Sequence, residues 1–214
     1  MDRSRKAVKD IYDRIAAHFS KTREYAWPEV ASFLDAQPPA ETALDIGCGN
    51  GRHTELLAEK ATRAIGLDAS IGLLGEARAR ATDRGFDAAF VAGDAASLPF
   101  AANSIDLALY VATLHHLPER SLRRASLDEL ARVLEPEARA LVSVWSTAHD
   151  AFDHDGPEGF DTLVDWTLPG GETVPRFYHI YAPAEFDADF AASDLRVVSN
   201  ELSSGNCYTV VTPE

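Results

Sequence analysis

Cysteine, lysine and long apolar runs are scarce in this 214-residue sequence. Its two cysteines, Cys48 and Cys207, are too few and too isolated for a disulfide framework or a zinc site, which is typical of a reducing compartment. No run approaches the roughly 18 apolar residues of a membrane span, and the opening residues MDRSRKAVKD contain no apolar signal segment. We therefore expect a soluble, cytoplasmic protein with no metal site of its own and no membrane partner.

Positive charge is also scarce, and it is unevenly distributed. The net charge is −14, and residues 150–214 alone carry thirteen acidic and two basic residues. An acidic surface repels nucleic acid. Many aspartates with only four lysines, however, are also typical of proteins from salt-rich cytoplasms, where salt screens self-repulsion. We interpret the composition as halophilic, with an ordinary acidic cytosolic protein as the alternative, so net charge is a poor guide to the partner.

The chain between about residues 40 and 145 alternates short apolar runs with segments of helical length. The apolar runs, which read as strands, lie at 42–46, 63–67, 88–92, 104–110 and 138–145. The helix-length segments lie near 51–60, 70–82 and 120–134. Strands that alternate with helices predict an α/β fold, a doubly wound parallel sheet covered on both faces.

Different patterns flank this region. Residues 1–40 predict two helices, one over about 5–19 and one that starts near Pro28. The runs LRVVSNEL and CYTVVT, joined by SSGN, predict a C-terminal antiparallel hairpin. The stretch 148–181 is rich in glycine and proline and reads as an irregular, substrate-side insertion. We expect a single domain over residues 1–214.

The segment LDIGCGNG, residues 44–51, joins the first predicted strand to a helix. Its glycines Gly47, Gly49 and Gly51 follow a G-x-G-x-G spacing, whereas nicotinamide oxidoreductases use G-x-G-x-x-G. Asp45 precedes them, and a carboxylate there opposes a pyrophosphate at the helix N-terminus. A ligand with an ammonium group suits the carboxylate. S-adenosylmethionine (SAM) has an ammonium group, a ribose diol and an adenine, and it has no phosphate.

Two more acids follow the next two predicted strands. Asp68 lies 21 residues after Gly47, where a carboxylate can accept both ribose hydroxyls. Asp94 is placed to accept from an adenine amino group, with the N–H of Ala95 beside it. Any single acid here is more often a loop cap, but three at successive strand ends favour a SAM site. The predicted cofactor-binding set is Tyr12, Asp45, Gly47, Gly49, Gly51, Asp68, Ala69, Asp94, Ala95 and Val111.

The motifs LDIGCGNG, GLDAS, AGDAASLPF and SIDLALYVATLHHL, in that order, resemble those of the class I SAM-dependent methyltransferases. The resemblance covers about residues 40–145 and implies SAM as the cofactor. It also implies the Rossmann-like methyltransferase fold, a seven-stranded, mostly parallel sheet in the order 3-2-1-4-5-7-6 with strand 7 antiparallel. The C-terminal hairpin agrees with that order. These motifs do not identify the methyl acceptor.

Three other stretches resemble the tRNA wobble-uridine carboxymethyl methyltransferases, which esterify a carboxymethyl group on the uridine base. They are YDRIAAHFSKTREYAWPEV (12–30), TLHHLPERSLRR (113–124) and RFYHIY (176–181). Ala26 departs from the basic residue of that family. A tRNA carrying the wobble uridine is the partner that the resemblance implies.

The chemistry of such an esterification suits these residues. A carboxylate with a pKa near 4 is ionised at pH 7, so it needs no general base. Positioning two reactants in line lowers a barrier by about 7–11 kcal/mol. We expect Arg23 and Arg176 to hold the carboxylate or nearby phosphates, and His116, Tyr178 and His179 to orient the base.

The third predicted strand, Asp87 to Ala92, lies at one edge of the sheet in the implied order, without lysine or proline to block pairing. Some members of the family work with a small zinc-binding activator protein that adds a strand there. We expect the same heterodimer here, by β-addition, with an ordinary edge strand as the alternative.

Two other functions stay open at this point. A small-molecule methyltransferase, acting on a quinone or a carboxylic metabolite, gains weight from the acidic C-terminal part. A SAM-binding regulator without turnover is the other. Surface interpretations also stay open: Trp27 reads as core more than as a stacking platform, and four arginines read equally as a solvated face or as contacts to the tRNA backbone. These are Arg52, Arg120, Arg123 and Arg124.

Overall fold

The computed structural model describes residues 4–152 and 156–214. The helices are α1 (Arg5–Thr22), α2 (Pro28–Asp35), α3 (Arg52–Lys60), α4 (Ile71–Arg84), α5 (Arg120–Val133) and α6 (Pro183–Phe190), with a 3₁₀ turn at Leu114–His116. The strands are β1 (Ala40–Ile46), β2 (Ala61–Asp68), β3 (Ala89–Ala92), β4 (Ile105–Val111), β5 (Leu134–Trp145), β6 (Phe160–Thr167), β7 (Thr173–Ile180), β8 (Leu195–Ser203) and β9 (Asn206–Pro213).

Seven of these strands form one sheet in the order β3-β2-β1-β4-β5-β9-β8. Strands β1 to β5 are parallel, and β9 pairs antiparallel with both β5 and β8. The α/β, mostly parallel sheet is confirmed. The predicted numbering 3-2-1-4-5-7-6 was wrong, because two strands that the sequence reading missed precede the final hairpin in the chain. These strands, β6 and β7, pair with each other outside the large sheet.

The stretch 148–181 is therefore not the irregular insertion that its composition predicts. Strands β6 and β7 form an antiparallel hairpin whose register runs from Phe160 opposite Ile180 to Thr167 opposite Thr173. Gly170 and Gly171, with φ of 101° and 89°, make the turn. The glycines and prolines that indicated irregular structure thus lie largely in this turn and before β6. One backbone bridge, between Ser146 and Tyr181, joins the hairpin to the end of β5.

Both faces of the large sheet are covered by helices, which explains the continuous apolar runs in its central strands. On one face, Leu44 of β1 and Tyr110 of β4 join a core completed by α5 and α6. On the other face, Leu107 and Leu109 of β4 pack with Val30 of α2 and with α3. No helix in the described ranges is long and apolar enough to cross a membrane.

Helix α1 lies against the loop that follows β2. The Asp13 carboxylate accepts from the Ser70 hydroxyl at 2.6 Å and from the Gly72 N–H at 2.9 Å. A side chain at Gly72 would put its Cβ 3.1 Å from that of Ala16, so the missing side chain permits this close approach. The N-terminal helix is thereby held over the carboxyl ends of the first strands.

Candidate active site

A cavity of about 420 Å³ opens beneath α1 at the carboxyl ends of the parallel strands. Open α/β sheets bind ligands at this edge, and small-molecule sites measure about 300–1,000 Å³. Four consecutive strand-end loops line the cavity, and α1 covers it. The loop residues are Gly47 to Asn50, Asp68 to Ser70, Gly93 to Ala95 and Val111 to Thr113.

The glycine turn after β1 is shaped by its close approach to the loop after β4. Gly47 has a φ of +73°, and a Cβ on it would lie 2.1 Å from Oγ1 of Thr113. Two N–H groups of the turn, of Gly47 and Cys48, donate to the carbonyl of Leu67 at 2.7 and 3.0 Å. Only glycine tolerates both the positive φ and the close approach of Thr113 at position 47. The sequence reading noted the glycine but missed Thr113.

Asp68 faces the cavity from the end of β2. One carboxylate oxygen accepts from the N–H of Gly49 at 2.9 Å, and the other accepts from the N–H of Ser70 at 2.8 Å. These bonds orient the carboxylate, and each oxygen keeps a lone pair for a further donor. Burial raises the pKa of Asp68 despite these bonds. The arrangement can accept two hydroxyls of a diol.

Asp94 and its neighbour Ala95 line the cavity from the loop after β3. The Asp94 carboxylate accepts from the N–H of Ala96 at 2.9 Å and forms an ion pair with Arg5 in the first turn of α1. Of the remaining predicted cofactor-binding residues, Tyr12, Gly49, Ala69 and Val111 also line this cavity.

Two predicted cofactor residues lie below the cavity rather than in its lining. Asp45 is 1% exposed and accepts from the Thr54 hydroxyl at 2.6 Å. Burial raises the pKa of Asp45 to about 7. Gly51, with a φ of +78°, begins α3 and packs against Ala77. The Asp45 side chain, predicted to bind the cofactor, is thus turned by the tertiary fold onto Thr54 of α3.

A second group of polar residues adjoins the cavity where Tyr12 meets His116. The Tyr12 hydroxyl lies 2.9 Å from Nε2 of His116, and Nδ1 of His116 lies 2.9 Å from the carbonyl of Phe177. A carbonyl only accepts, so Nδ1 carries the proton and Nε2 accepts from Tyr12. Burial lowers the pKa of His116 to about 4. The imidazole is therefore neutral at pH 7, with its lone pair already engaged.

Arg176 completes this group from β7. One guanidinium nitrogen donates to the Tyr178 hydroxyl at 2.7 Å and to the Tyr12 hydroxyl at 3.5 Å. The residue is 6% exposed, and its Nε–H has no partner in the part of the chain that the structure describes. No ion pair between Arg176 and a carboxylate occurs among those residues. An uncompensated buried charge is costly, so the position favours an anionic ligand.

Trp166 of β6 links the two predicted arginines. The guanidinium carbons of Arg23 and Arg176 lie 5.1 and 4.8 Å from its ring centroid, a cation–π distance. The indole N–H of Trp166 donates to His18 at 3.0 Å, which ties the hairpin to α1. Sequence reasoning missed Trp166 because it missed the hairpin, although two β-type runs flanking Pro169-Gly170-Gly171 carry the signal for one.

His179, which the sequence predicts to orient the base, lies apart from this group. Successive residues of a strand point to opposite faces, so His179 lies on the other side of β7 from Tyr178. Its Nδ1 lies 2.9 Å from Asp161, and its Nε2 lies 3.1 Å from Glu185. These contacts hold the hairpin against α6.

Three arginines of α5 complete this second, structural cluster. Arg123 is buried and pairs with Glu185 at 3.4 Å, while Arg120 and Arg124 each donate to the buried Asp189 at 2.8 Å. Arg123 is therefore not part of a solvated face, whereas the side chains of Arg120 and Arg124 stay 36% and 40% exposed, so both interpretations of these two remain open. All three arginines join α5 to α6.

Comparison with known proteins identifies relatives that are methyltransferases. A family model described as a methyltransferase domain matches residues 43–137. The tRNA (carboxymethyluridine(34)-5-O)-methyltransferase of Schizosaccharomyces pombe is 33% identical over 203 residues, which cover 84% of this chain and 84% of that protein. Plant and vertebrate proteins of the same name are 36–39% identical over 65–76% of this chain, but the chain spans only 20–36% of their length.

Solved structures share the fold. The DhpI complex with S-adenosylhomocysteine (SAH) superposes with a TM-score of 0.75 at 20% identity, covering 97% of this chain and 96% of that chain. A methyltransferase solved in complex with the Haloferax volcanii Trm112 methyltransferase activator superposes with a TM-score of 0.71 at 19% identity, covering 96% and 97%.

Proposed function

Because this chain belongs to the SAM-dependent methyltransferase family that contains the fission yeast tRNA (carboxymethyluridine(34)-5-O)-methyltransferase, we propose that it forms the methyl ester of 5-carboxymethyluridine at the wobble position of tRNA in the cytoplasm. The observation that carries this proposal is the buried Arg176, which lies beside the cavity without a carboxylate partner among the described residues. An acceptor carboxylate would supply the missing negative charge.

The residues of the cavity fit SAM. Asp68 presents a carboxylate oriented by two N–H groups, which suits the ribose diol. Asp94 and Ala95 lie at the next strand end, which suits the adenine. The cavity of about 420 Å³ is lined largely by backbone and apolar groups. Three of its four cationic lining residues, Arg5, Lys6 and Lys9, pair with carboxylates. When bound, SAM supplies an electrophilic methyl group, and its sulfur leaves with the bonding electrons as SAH.

The acceptor side holds and orients an anion. Arg176 would bind the carboxylate by charge-assisted hydrogen bonds, and its bonds to Tyr178 and Tyr12 fix the guanidinium plane. Tyr12 donates to His116 and therefore presents only lone pairs to Arg176. Trp166 covers the guanidinium and excludes water from it. One carboxylate oxygen is left to form the new O–C bond.

The same geometry disfavours an acceptor that must first lose a proton. A phenolic or quinol hydroxyl has a pKa near 10 and needs a general base. His116 adjoins the Tyr12–Arg176 group, but its Nδ1 proton binds Phe177 and its Nε2 lone pair binds Tyr12. A carboxylate needs no base. The remaining second candidate is a small carboxylic acid, which the net charge of −14 favours because it weakens attraction to RNA.

We further propose that a small zinc-binding activator protein pairs with the edge strand β3. This strand, Ala89–Ala92, ends the large sheet, and its residues are half-buried or exposed. The Trm112 complex of a protein with the same fold motivates the partner. Arg78 donates to the carbonyl of Phe90 at 2.9 Å, so the added strand must displace this side chain or pair beside it.

Nucleoside mass spectrometry of tRNA from cells that lack the gene tests the proposed activity. We expect the methyl ester to disappear and free 5-carboxymethyluridine to accumulate. Unchanged levels of both nucleosides would refute the reaction. Purified protein, with and without the activator, is then incubated with labelled SAM and either the tRNA or a small carboxylic acid. Label in the small acid alone would favour the second candidate, and SAM binding without any turnover would favour a regulator.

A further inference from the structure

The loop that joins α1 to α2, residues 23–27, carries an unusually exposed aromatic side chain. Tyr25 is 81% exposed, the largest value among the large hydrophobic residues of the described ranges. A single exposed apolar side chain is ordinary. What distinguishes Tyr25 is the rigidity of the backbone beneath it and the charge beside it.

The backbone of this loop is anchored on α3 and α4. Asn50 donates to the carbonyl of Arg23 at 2.9 Å, and Arg80 donates to the carbonyl of Glu24 at 2.8 Å. The N–H of Trp27 reaches Nε2 of His53 at 3.4 Å. Tyr25 is therefore presented to solvent from a fixed position, on a loop bonded to Asn50 and His53, which both line the cavity.

Two cations without acidic partners flank the loop. Arg52 lies over the Trp27 ring at 5.1 Å and lines the cavity, and Arg23 lies against Trp166. Neither Arg23 nor Arg52 forms an ion pair with another residue that the structure describes, whereas many other arginines of the chain do. Burial, followed by the positive charge of Arg23, lowers the pKa of Arg52 to about 10. On a chain of net charge −14, this is a local excess of positive charge.

We propose that Tyr25 stacks on the anticodon-loop base next to the wobble uridine, while Arg23 and Arg52 hold the phosphate that links the two nucleotides. Proteins read single-stranded RNA loops by stacking bases on aromatic side chains and position them through phosphate contacts. The platform, Tyr25 with Arg23 and Arg52, rests on the proposed function and names the part of the tRNA that this surface binds.

The platform accounts for how a negatively charged enzyme selects a nucleotide within a tRNA. Binding energy from parts of the substrate that do not react can position the reacting group. An isolated nucleoside would reach Arg176 and Tyr178 but would have neither the neighbouring base nor its phosphate. We therefore expect the platform to contribute to the reaction of an RNA acceptor but not to that of an isolated nucleoside.

The test compares two acceptors, 5-carboxymethyluridine nucleoside and an anticodon stem-loop that carries it, using the protein with any activator it requires. Tyr25→Ala should lower kcat/KM for the stem-loop about 5- to 150-fold, mainly through KM, because stacking contributes about 1–3 kcal/mol per base. The same variant should leave the nucleoside reaction and SAM affinity unchanged. Tyr25→Phe should retain stem-loop activity. Leu202→Ala serves as the matched control, because Leu202 is also an exposed apolar residue but lies on β8, away from the loop of Tyr25.

Arg52→Gln gives an independent readout. It should weaken stem-loop binding, measured by fluorescence anisotropy, and reduce the slope of log Kd against log salt by about 1. Equal stem-loop affinity and kcat/KM in the wild type and Tyr25→Ala would overturn the platform and leave the proposed function intact. A parallel loss with both acceptors, or a change of oligomeric state, would also overturn it. If the wild type methylates neither acceptor, the proposed function fails, and the anisotropy comparison still decides the platform.

Discussion

Replacing Arg176 with methionine should abolish most activity without weakening the fold. The substitution removes the cation and keeps most of the side-chain volume. Losing one partner of a buried, hydrogen-bonded charge pair costs about 2–5 kcal/mol, which corresponds to about a 30- to 5,000-fold loss of kcat/KM. SAM affinity should stay unchanged, because the residue contacts Tyr12, Tyr178 and Trp166 but does not line the cavity.

The expected effect of Arg176→Met on stability differs from that of an ordinary core mutation, which lowers the free energy of unfolding. Arg176→Met loses the cation–π contact with Trp166 and two hydrogen bonds from a charged donor, which contribute about 1.5–3 kcal/mol each. It also relieves a buried charge without an acidic partner among the described residues, whose burial costs several kcal/mol. We expect the free energy of unfolding to stay the same or to rise. Arg123→Met is the matched comparison. It breaks a buried pair with Glu185 and should cost about 3–5 kcal/mol.

Urea unfolding measures the free energy of unfolding, calorimetry measures SAM affinity, and label transfer to tRNA measures kcat/KM. Arg176→Lys should recover part of the activity, because lysine keeps the charge but not the planar fork. Near-normal kcat/KM in Arg176→Met would refute the anion-binding role. A stability loss as large as that of Arg123→Met, with loss of SAM binding, would show instead that Arg176 supports the fold.

Three other outcomes follow from the same structure. Asp68→Asn should weaken SAM binding about 10- to 150-fold in calorimetry, because hydrogen bonds to a charged acceptor contribute about 1.5–3 kcal/mol; equal affinity would remove Asp68 from the cofactor site. Asp45 has a folded-state pKa raised to about 7, so the stability of the wild type relative to Asp45→Asn should fall as pH rises from about 4 to about 7; urea midpoints with parallel pH profiles would contradict this. Raising KCl from 0.1 to 1 M shortens the Debye length from about 10 to about 3 Å and should raise the urea midpoint of a chain with net charge −14; an unchanged midpoint would refute the halophilic interpretation.

Local patterns were enough for the central sheet and much of the cofactor cavity. The apolar run at 104–110 predicted β4 within one residue at each end, because a strand covered on both faces reads as apolar throughout. Asp68 and Asp94 were predicted from their places after successive strands, since parallel strands bring their carboxyl ends to one edge. The hairpin β6–β7 was missed because its turn glycines were attributed to an irregular loop.

Side-chain direction and burial were not predictable in this way. Asp45 lies one residue before the end of β1 and Asp68 ends β2, but these positions alone did not indicate that Asp45 turns onto Thr54 while Asp68 faces the cavity. His179 and Tyr178 are neighbours in one motif, yet strand alternation sends them to opposite faces. Trp166 contacts Arg176 across the β6–β7 hairpin and Arg23 at the end of α1, and no spacing along the chain encodes the contact with Arg23.

The sequence by itself determined the fold class, the glycine turn and the acids at its strand ends, because these depend on periodicity and on backbone conformations that few residues allow. Only the tertiary structure decided which of those side chains face the cavity, and that Arg176 is buried without a partner among the described residues. Burial and charge pairing are properties of contacts between distant segments. The methyl donor could therefore be inferred from a short motif, whereas the acceptor had to be inferred from residues that folding brings together.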